Sequence, residues 1–475
     1  MPLTHSKWLS GTRSGLGTWQ KQLLDQPFNQ GQLYFSPIKS TSYALLTGLA
    51  FAWRPLPSSA QNAPLNARIA QLAQAEEAKV IAWRRDFHQH PELGNEETRT
   101  AGIVAAHLKK LGLEVQTGVA RTGVVGILRG GKPGPVVALR ADMDALPVTE
   151  TTGLAFASTV RTTYLGQPVG VMYACGHDAH TAMLMGAAEV LSQVKKDLPG
   201  TIKFIFQPAE EGSVPGTEGG ARLMVKEGVL DNPKVDAVFG IHIDAQTEVG
   251  KLTYRPGGTM ASSDRFTIKV LGKGAHGANP WNSVDPVVTA AQIITGLQNI
   301  VSRQVDLIED AAVVTVGTLM SGVRYNVIPA DAEMSGTIRA LNPKTQQQLW
   351  AAIRRTAKGI AESAGATAEV TIEPYVPVTL NDLPLTARML PTLQVVAGSA
   401  ANVKEIKAQT GSEDFPFYAN KAPDLFLFVG GMKKGTDPAT TADHHTAGFL
   451  LDESGFTLGV KTLATLAADY LAMRK

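Results

Sequence analysis

The pattern of hydrophobic residues divides the chain into two regions in which predicted strands and helices follow one another in different orders. Between residues 61 and 261, short apolar runs typical of buried strands alternate with longer stretches of helical periodicity. The predicted strands cover residues 123–129, 136–139, 201–207 and 237–243, and the predicted helices cover residues 61–87, 98–111, 179–194 and 220–227. This alternation predicts an α/β domain built on a largely parallel sheet.

The order of predicted strands and helices changes near residue 262. Strands are predicted over residues 266–271, 312–319, 332–339 and 367–372, with helices over residues 285–303 and 344–364. This βαββαβ order predicts a ferredoxin-like insertion of roughly 110 residues. Beyond residue 374 the α/β character returns and ends in a helix over residues 454–473. We therefore predict a leader region (1–60), two parts of a main domain (61–261 and 375–475) and an inserted domain (262–374).

The N-terminal region has the features of a targeting signal. Lys39 precedes an apolar run over residues 43–53, which is too short to span a bilayer. Small residues at Ser58 and Ala60 suit a signal peptidase, so we expect cleavage after Ala60 and a secreted or periplasmic mature chain. The polar stretch over residues 1–38 is unusually long for a leader, which indicates an atypical leader or a start codon placed too early. A tail without a targeting role is the alternative.

Charge is unevenly distributed along the chain. The formal net charge is +2, but residues 1–60 carry five basic side chains against one acidic side chain. The leader region thus holds a net +4, which leaves −2 for the remaining residues. A folded part without a basic surplus, and without a run of Lys or Arg, is not typical of a nucleic-acid-binding protein.

Cysteine and histidine positions point to metal chemistry. The single cysteine, Cys175, rules out a disulfide framework, and a lone thiol in an oxidising compartment must be buried or bound to a metal. Residues 175–180 read CGHDAH, Glu210 and Glu211 follow a predicted strand, and His242 lies near the end of another. The pair at residues 444–445 adds two more histidines in a loop.

These side chains form a donor set that suits transition metals. Ligands from the ends of parallel strands meet at one edge of an open α/β sheet. Thiolate, imidazole and carboxylate together favour Zn²⁺ or Mn²⁺, with Co²⁺ and Ni²⁺ as alternatives. The five candidate ligands are Cys175, His177, Glu211, His242 and His445. Five donors are too many for one tetrahedral ion, so we expect two ions with a shared ligand.

The chain resembles the M20 family of metallopeptidases, and within it the amidohydrolase subgroup of hippurate hydrolases and auxin-conjugate hydrolases. The matching segments follow the order of the family and cover nearly everything from residue 80 onward. They are residues 87–94 (FHQHPELG), 139–147 (LRADMDALP), 175–180 (CGHDAH), 207–212 (QPAEEG), 240–242 (GIH), 272–276 (GKGAH), 325–329 (YNVIP), 336–339 (GTIR) and 411–415 (GSEDF).

The resemblance assigns roles to the residues of the main domain. It implies that Cys175 bridges the two ions and that Glu210 is the general base. It also implies that Asp144 orients a neighbouring group, whereas Asp142 is not expected to be a ligand. The remaining ligands implied by the resemblance are His177, Glu211, His242 and His445. The histidines at positions 88, 90 and 180 are interpreted as structural.

The resemblance also assigns roles within the inserted domain, which it identifies as a lid and dimerisation domain. His276 is expected to bind the oxyanion of the reaction, commonly in the active site of a partner subunit, which implies a homodimer. Asn326 and Arg339 match positions that hold the carboxylate of the substrate, a task for which the guanidinium fork of Arg is suited. A turn-capping Asn and a strand ion pair are the structural alternatives for these two residues.

One segment departs from the family pattern. The last ligand of the family is usually followed as His-x-Pro-x-Phe, whereas residues 445–449 read HTAGF. The absent proline leaves the loop less constrained, and the neighbouring His444 becomes a second candidate ligand. His445 is preferred because its distance to Phe449 along the chain fits the family pattern.

The resemblance implies a hydrolase of linear amides that converts N-acyl amino acids, or similar small conjugates, into a carboxylic acid and an amino acid. Two alternatives stay open. One is a metal-dependent dipeptidase or exopeptidase of the same family, and the other is a non-catalytic protein that binds small carboxylates. The bridging cysteine favours the amidohydrolase branch, and the intact Glu210 argues against the binding protein.

Overall fold

A computed structural model describes residues 62–213, 217–308 and 310–473. The leader predicted over residues 1–60 lies outside these described residues. The helices are α1 (Ala63–Ala75), α2 (Glu77–Gln89), α3 (Thr98–Lys110), α4 (His177–Gln193), α5 (Gly220–Lys226), α6 (Pro286–Gln304), α7 (Pro343–Ser363), α8 (Leu383–Val396), α9 (Pro416–Ala419) and α10 (Phe456–Ala472).

The strands divide between one large sheet, one four-stranded sheet and three short pairs. They are β1 (Glu114–Val119), β2 (Gly123–Arg129), β3 (Lys132–Asp142), β4 (Arg161–Tyr164), β5 (Gln167–Gly170), β6 (Pro199–Gln207), β7 (Ala237–Glu248), β8 (Leu252–Tyr254), β9 (Gly257–Met260), β10 (Ser263–Leu271), β11 (Ala275–His276), β12 (Ala312–Ser321), β13 (Val327–Ile328), β14 (Asp331–Ala340), β15 (Thr367–Val376), β16 (Thr379–Asn381), β17 (Val403–Glu405) and β18 (Asp424–Met432).

The large sheet has eight strands in the order β1-β2-β6-β3-β7-β18-β8-β17. Its centre is parallel, because β6, β3, β7 and β18 pair with one another in that sense. Antiparallel pairs join β1, β2 and β6 on one side, and β18 and β8 on the other. A largely parallel sheet in an α/β domain, as the hydrophobic pattern predicts, is therefore confirmed.

Buried helices cover the large sheet. Helix α4 packs against α2 and α10, and α10 in turn contacts α1 and α8. Nearly every residue of α4 and α10 is buried, which explains why both segments are apolar on all sides rather than amphipathic. This packing holds the beginning of α4, where His177 is the first helical residue, rigidly above the sheet.

The inserted domain has its own sheet and its own core. Strands β10, β12, β14 and β15 form an antiparallel sheet in the order β12-β14-β10-β15, with α6 and α7 packed on one face. This is the strand order of a ferredoxin-like fold, so the predicted βαββαβ insertion is confirmed. Both helices begin with a capping residue followed by proline, as in Asp285-Pro286 and Asn342-Pro343. The exact domain boundaries at residues 262 and 374 stay predictions.

The structure adds elements that the hydrophobic pattern did not predict. Strand β3 begins four residues before the predicted segment and extends three residues beyond it, so it reaches Asp142. Strand β18 is fully buried in the parallel centre of the sheet and was not predicted. The helical lead-in is two helices that meet at Glu76 rather than one.

Across the parts of the chain that the structure describes, every helix is too short or too polar to cross a lipid bilayer.

Candidate metal centre

Part of the site lies at the ends of neighbouring strands in the parallel centre of the sheet. Strand β3 ends at Asp142, β6 ends at Gln207 three residues before Glu210, and β7 carries His242. Because these strands are adjacent and parallel, their carboxyl ends open into one crevice. The sheet therefore brings together side chains that lie far apart along the chain.

Gly176 sets the direction of the two residues on either side of it. Its φ of 97° is in the left-handed region, and α4 begins at the next residue. A Cβ at this position would lie 2.5 Å from Cγ2 of Ile243, so only glycine fits. This turn allows Cys175 and His177 to face the same space.

The sulfur of Cys175 is the point at which three histidine rings meet. Its Sγ lies 3.3 Å from Nε2 of His445, 3.4 Å from Nε2 of His242 and 3.8 Å from Nδ1 of His444. The residue is buried, and burial together with the charge of Glu211 raises the pKa of the thiol well above its usual range. A cation bound at this point would reverse that shift by stabilising the thiolate.

His177 directs a free ring nitrogen at both glutamates. Its Nε2 lies 3.9 Å from Oε2 of Glu210 and 3.9 Å from Oε1 of Glu211, and it has no hydrogen-bond partner among the described residues. The other nitrogen, Nδ1, lies 3.2 Å from Oδ1 of Asp144. Burial alone would lower the pKa of His177, but the charges of Asp142 and Asp144 raise it to about 10. The ring therefore sits in a strongly negative field that attracts a cation.

Glu211 connects the ring of His177 to that of His445. Its Oε1 lies 3.0 Å from Nε2 of His445, although the contact lacks the geometry of a hydrogen bond. The backbone N–H of Glu211 donates to Oδ2 of Asp144, which fixes the glutamate relative to α4. Burial would raise the pKa of Glu211, but His445 and His177 lower it below its ordinary value. The carboxylate is thus ionised and available to a metal.

Glu210 reaches the same crevice because β6 has already ended. Ala209 has a φ of 50°, and its N–H donates to a buried carboxylate oxygen of Glu97 at 2.8 Å. This turn breaks the strand alternation that would send two consecutive side chains to opposite faces. Oε1 of Glu210 accepts the N–H of Asp414 at 3.3 Å. Burial, followed by the charges of Glu413 and Glu211, raises the pKa of Glu210 well above its usual range.

Comparison with known proteins identifies the family to which this centre belongs. Residues 138–469 match the profile of Peptidase family M20/M25/M40. The chain belongs to this family. It is 41% identical to Thermostable carboxypeptidase 2 of Saccharolobus solfataricus over 82% of this chain and 95% of that protein. It is 39% identical to N-acetylcysteine deacetylase of Bacillus subtilis over 83% of this chain and 97% of that protein.

A solved structure from the family has the same fold. The Bacillus subtilis YXEP protein, described as a dinuclear metal binding peptidase from the M20 family, superposes with a TM-score of 0.70 at 36% identity. The match covers 84% of this chain and all of that chain. The predicted family, and with it the prediction of a hydrolase that acts on amide bonds, is confirmed.

The donors of this M20 hydrolase fit a pair of divalent ions. Two buried atoms that face the crevice, Nε2 of His177 and Oε1 of Glu211, have no hydrogen-bond partner in the part of the chain that the structure describes. The ligand atoms of Cys175, His177 and Glu211 lie within 4.8 Å of one another, and so do those of Cys175, His242 and His444. The sulfur of Cys175 belongs to both groups.

Asp142 and His180 use their polar atoms for hydrogen bonds within the protein. The carboxylate of Asp142 accepts bonds of 2.6 Å from Arg140 Nη1 and from Nδ1 of His180. Nε2 of His180 accepts the N–H of Ile243 at 2.8 Å. Both ring nitrogens of His180 are therefore occupied within the fold.

The predicted residues of the inserted domain lie apart from the cluster. His276 is exposed in β11, which pairs with β13 next to Asn326, and the N–H of Gly277 donates to the backbone oxygen of Asn326. Among the described residues, none of the cluster side chains forms a hydrogen bond or ion pair with His276. Arg339 instead donates to Ser412 Oγ at 3.0 Å, in the loop that precedes Glu413.

Several residues that position the centre were not predicted as site residues. Arg140 is fully buried and donates to Asp142, to Oε1 of Gln207 and to Oε1 of Glu413. Glu97 supports the turn before Glu210. A charged residue inside an otherwise apolar strand is the one signal in the sequence that could have singled out Arg140.

Proposed function

We propose that this protein hydrolyses the amide bond of N-acyl amino acids or similar small conjugates, with two divalent ions held by Cys175, His177, Glu211, His242 and His445. One observation carries the proposal: Glu210 and Glu211 both lie 3.9 Å from the same free nitrogen of His177, beside the Cys175 sulfur. One carboxylate can bind a metal ion while the other accepts and donates a proton. The name of the N-acetylcysteine deacetylase relative supports the substrate class.

Each residue has a part in the proposed reaction. When bound, the ions would polarise the amide carbonyl and make water more acidic. Glu210 accepts a proton from the attacking water as the C–O bond forms, and it delivers that proton to the departing nitrogen as the C–N bond breaks. Water and amide thus become a carboxylic acid and a free amino group. Asp144 orients His177, and in this proposal Asn326 and Arg339 hold the substrate carboxylate while His276 binds the oxyanion.

The test is the substitution Glu210→Gln. It removes the proton acceptor and leaves the five ligands in place, so we expect two bound ions and a loss of turnover of about 10²- to 10⁴-fold. Elemental analysis and release of free amino acid from N-acyl amino acids measure the two quantities. Glu405→Gln, at an exposed glutamate of β17, is the matched control and should retain full activity.

Wild-type turnover in the Glu210→Gln variant would contradict the proposed mechanism. Binding of acyl amino acids by the wild-type protein without any release of amino acid would instead support the small-carboxylate binder.

The second candidate is a peptidase of the same family. Its support is the 41% identity to a protein named as a carboxypeptidase. A panel that contains N-acyl amino acids and dipeptides with the same C-terminal residue separates the two. We expect a higher kcat/KM on the acyl amino acids, and the reverse order would favour the peptidase.

The metal is proposed to be Zn²⁺ or Mn²⁺, with Co²⁺ or Ni²⁺ as alternatives. A thiolate and three imidazoles suit these borderline ions better than Mg²⁺ or Ca²⁺, which prefer oxygen ligands. Stepwise addition of each metal to chelator-treated protein, with activity as the readout, identifies the preferred ion.

We further propose a homodimer formed through the inserted domain. Strand β12 is an edge strand of its sheet, and large apolar side chains are exposed on it and just after it: Leu319, Met320, Val323 and Tyr325. An exposed apolar edge favours pairing with a second chain. Mixing His276→Ala subunits with Glu210→Ala subunits tests whether sites are shared, because a hybrid dimer then holds one intact site. Activity absent from the mixture would count against sharing.

Export is proposed from the leader over residues 1–60. N-terminal sequencing of the protein recovered outside the cytoplasm should begin at Gln61, and an intact N-terminus would contradict the proposal.

A further inference from the structure

His444 lies against the same sulfur as His445 but presents a different ring nitrogen. Nδ1 of His444 is 3.8 Å from Cys175 Sγ, whereas His445 turns Nε2 toward the sulfur at 3.3 Å. On distance alone, either ring belongs to the donor group around Cys175. The two histidines are distinguished by what their other contacts allow.

The backbone fixes the tautomer of His444. The N–H of Ala245 donates to Nε2 of His444 at 3.2 Å, so this nitrogen must offer a lone pair. In a neutral imidazole the single ring proton then resides on Nδ1, which is the nitrogen that faces Cys175. A nitrogen that carries a proton cannot ligate a metal.

The ring of His444 lies in different surroundings from that of His445. The ring is half-buried and packs on Phe449, with ring centroids 4.8 Å apart, and on His242, at 5.3 Å. His445 differs because its side chain is half exposed and its Nε2 lies 3.0 Å from the carboxylate of Glu211.

We propose that His444 is not a metal ligand but a positioning residue, whose Nδ1–H donates a hydrogen bond to the thiolate of Cys175. This inference rests on the proposed two-ion site and goes beyond it, because it assigns a role to a residue outside the ligand set. The hydrogen bond would withdraw electron density from the sulfur and so stabilise its thiolate form.

The same ring also connects two elements that carry ligands. Ala245 lies three residues beyond His242 in β7, and His444 directly precedes His445. The bond from the Ala245 N–H to His444 therefore ties the strand that carries one ligand to the loop that carries another. The loop, which lacks the proline of the family pattern, is also held by the bond from the His445 N–H to the Ala174 oxygen at 2.8 Å and by the bond from the Thr151 N–H to the Ala447 oxygen at 2.9 Å.

Two substitutions separate the bond to sulfur from the bond to the backbone. His444→Gln places an amide oxygen where Nε2 accepts from Ala245 but leaves no donor beside the sulfur. His444→Asn places an amide N–H near the position of Nδ1 and gives up the acceptor for Ala245. Exposed His90, whose Nδ1 bonds to the backbone oxygen of Asp86, provides the control His90→Gln.

The readout is the Co²⁺-loaded protein, whose near-ultraviolet sulfur-to-cobalt absorption reports on the thiolate directly. A hydrogen bond lowers the energy of the sulfur lone pairs, so its loss moves this band to longer wavelength. We expect His444→Gln to retain two Co²⁺ ions, to bind them about 10- to 100-fold more weakly, and to shift the band. His444→Asn should keep the band of the wild type, and His90→Gln should match the wild type throughout.

Three results would overturn the inference. Loss of one of the two Co²⁺ ions in His444→Gln would make His444 a ligand. An unchanged band in that variant, or the same shift in both variants, would reduce the residue to a packing role. Wild-type protein that binds no Co²⁺ would instead contradict the proposed two-ion site, so the two failures are distinguishable.

Discussion

At the scale of single residues, the centre depends on backbone conformations that few residues can adopt. Gly176 turns the chain so that the side chains of Cys175 and His177 face the same crevice. Ala209 turns the chain so that the side chains of Glu210 and Glu211 both reach that crevice. The first of these turns also brings the backbone against Ile243. Both conformation and space therefore require glycine at position 176.

The substitution Gly176→Ala tests this requirement. The left-handed conformation costs a non-glycine residue about 1–2 kcal/mol, and the contact of the new Cβ with Ile243 adds to that cost. We expect a lower free energy of unfolding in urea and fewer ions bound per chain.

Gly166 provides the matched control for Gly176. It has a φ of 77° in the turn between β4 and β5, with no atom within 4 Å of an added Cβ. Gly166→Ala should lower the stability by the conformational cost alone and leave metal binding unchanged. Equal metal binding in the two variants would contradict the role assigned to Gly176.

At the scale of elements, strand β18 lies at the centre of the large sheet and buries an acidic side chain there. The strand is buried along its whole length and pairs with β7 and β8. Its first residue, Asp424, is buried, and one of its carboxylate oxygens has no hydrogen-bond partner within residues 62–213, 217–308 and 310–473. Burial, together with the nearby Asp382, raises the pKa of Asp424 to about 8.

This raised pKa predicts a pH dependence of stability. Between about pH 4 and pH 8 the folded state keeps a proton on Asp424 that the unfolded state has released, so this group makes the protein less stable as the pH rises through that window. Asp424→Asn cannot ionise, and the decline of unfolding free energy between pH 4 and pH 8 should become shallower. Urea unfolding at several pH values measures this decline in unfolding free energy.

The control for Asp424 is Asp197→Asn, at an aspartate whose side chain is 56% exposed. It should leave the pH profile unchanged. An identical profile for Asp424→Asn and the wild type would show that the carboxyl of Asp424 is not protonated in the folded protein.

At the scale of the whole molecule, the metal centre joins distant parts of the chain. The residues around Cys175 come from the beginning of α4, from the segment after β6, from β7 and from a loop near the C-terminus. Several buried carboxylates also lie close together there, because oxygen atoms of Glu210, Glu413 and Asp414 are within 4.8 Å of one another. Bound cations would offset this repulsion and link the segments.

Removal of metal should therefore lower the stability of the whole domain. A ligand present at one hundred times its Kd stabilises the folded state by about 2.7 kcal/mol, so chelation should lower the Tm measurably. Addition of Zn²⁺ or Mn²⁺ should restore the Tm, and Mg²⁺ should not. Cys175→Ser is the control, since its Tm should respond weakly to the same ions. A wild-type Tm that is insensitive to chelation would contradict this expectation.

The sequence predicted most of the helices and strands but fewer of the contacts between them. The helices and strands of the inserted domain follow from periodicity, and their edges differ from the structure by only a few residues. Strand β18 was missed because a uniformly apolar run does not distinguish a buried strand from a buried helix. The supporting residues Arg140, Glu97 and Glu413 were missed because their partners lie far away along the chain.

The sequence by itself determined the α/β class, the inserted βαββαβ unit, the family and the set of candidate ligands, because each of these depends on residues close together along the chain. Only the tertiary structure decided which atoms meet. It placed three histidine rings around Cys175, gave His444 and His445 different nitrogens facing the sulfur, and left His276 outside the cluster. The reason is physical: distances between segments up to 270 residues apart are set by strand order and helix packing, which no local pattern of side chains specifies.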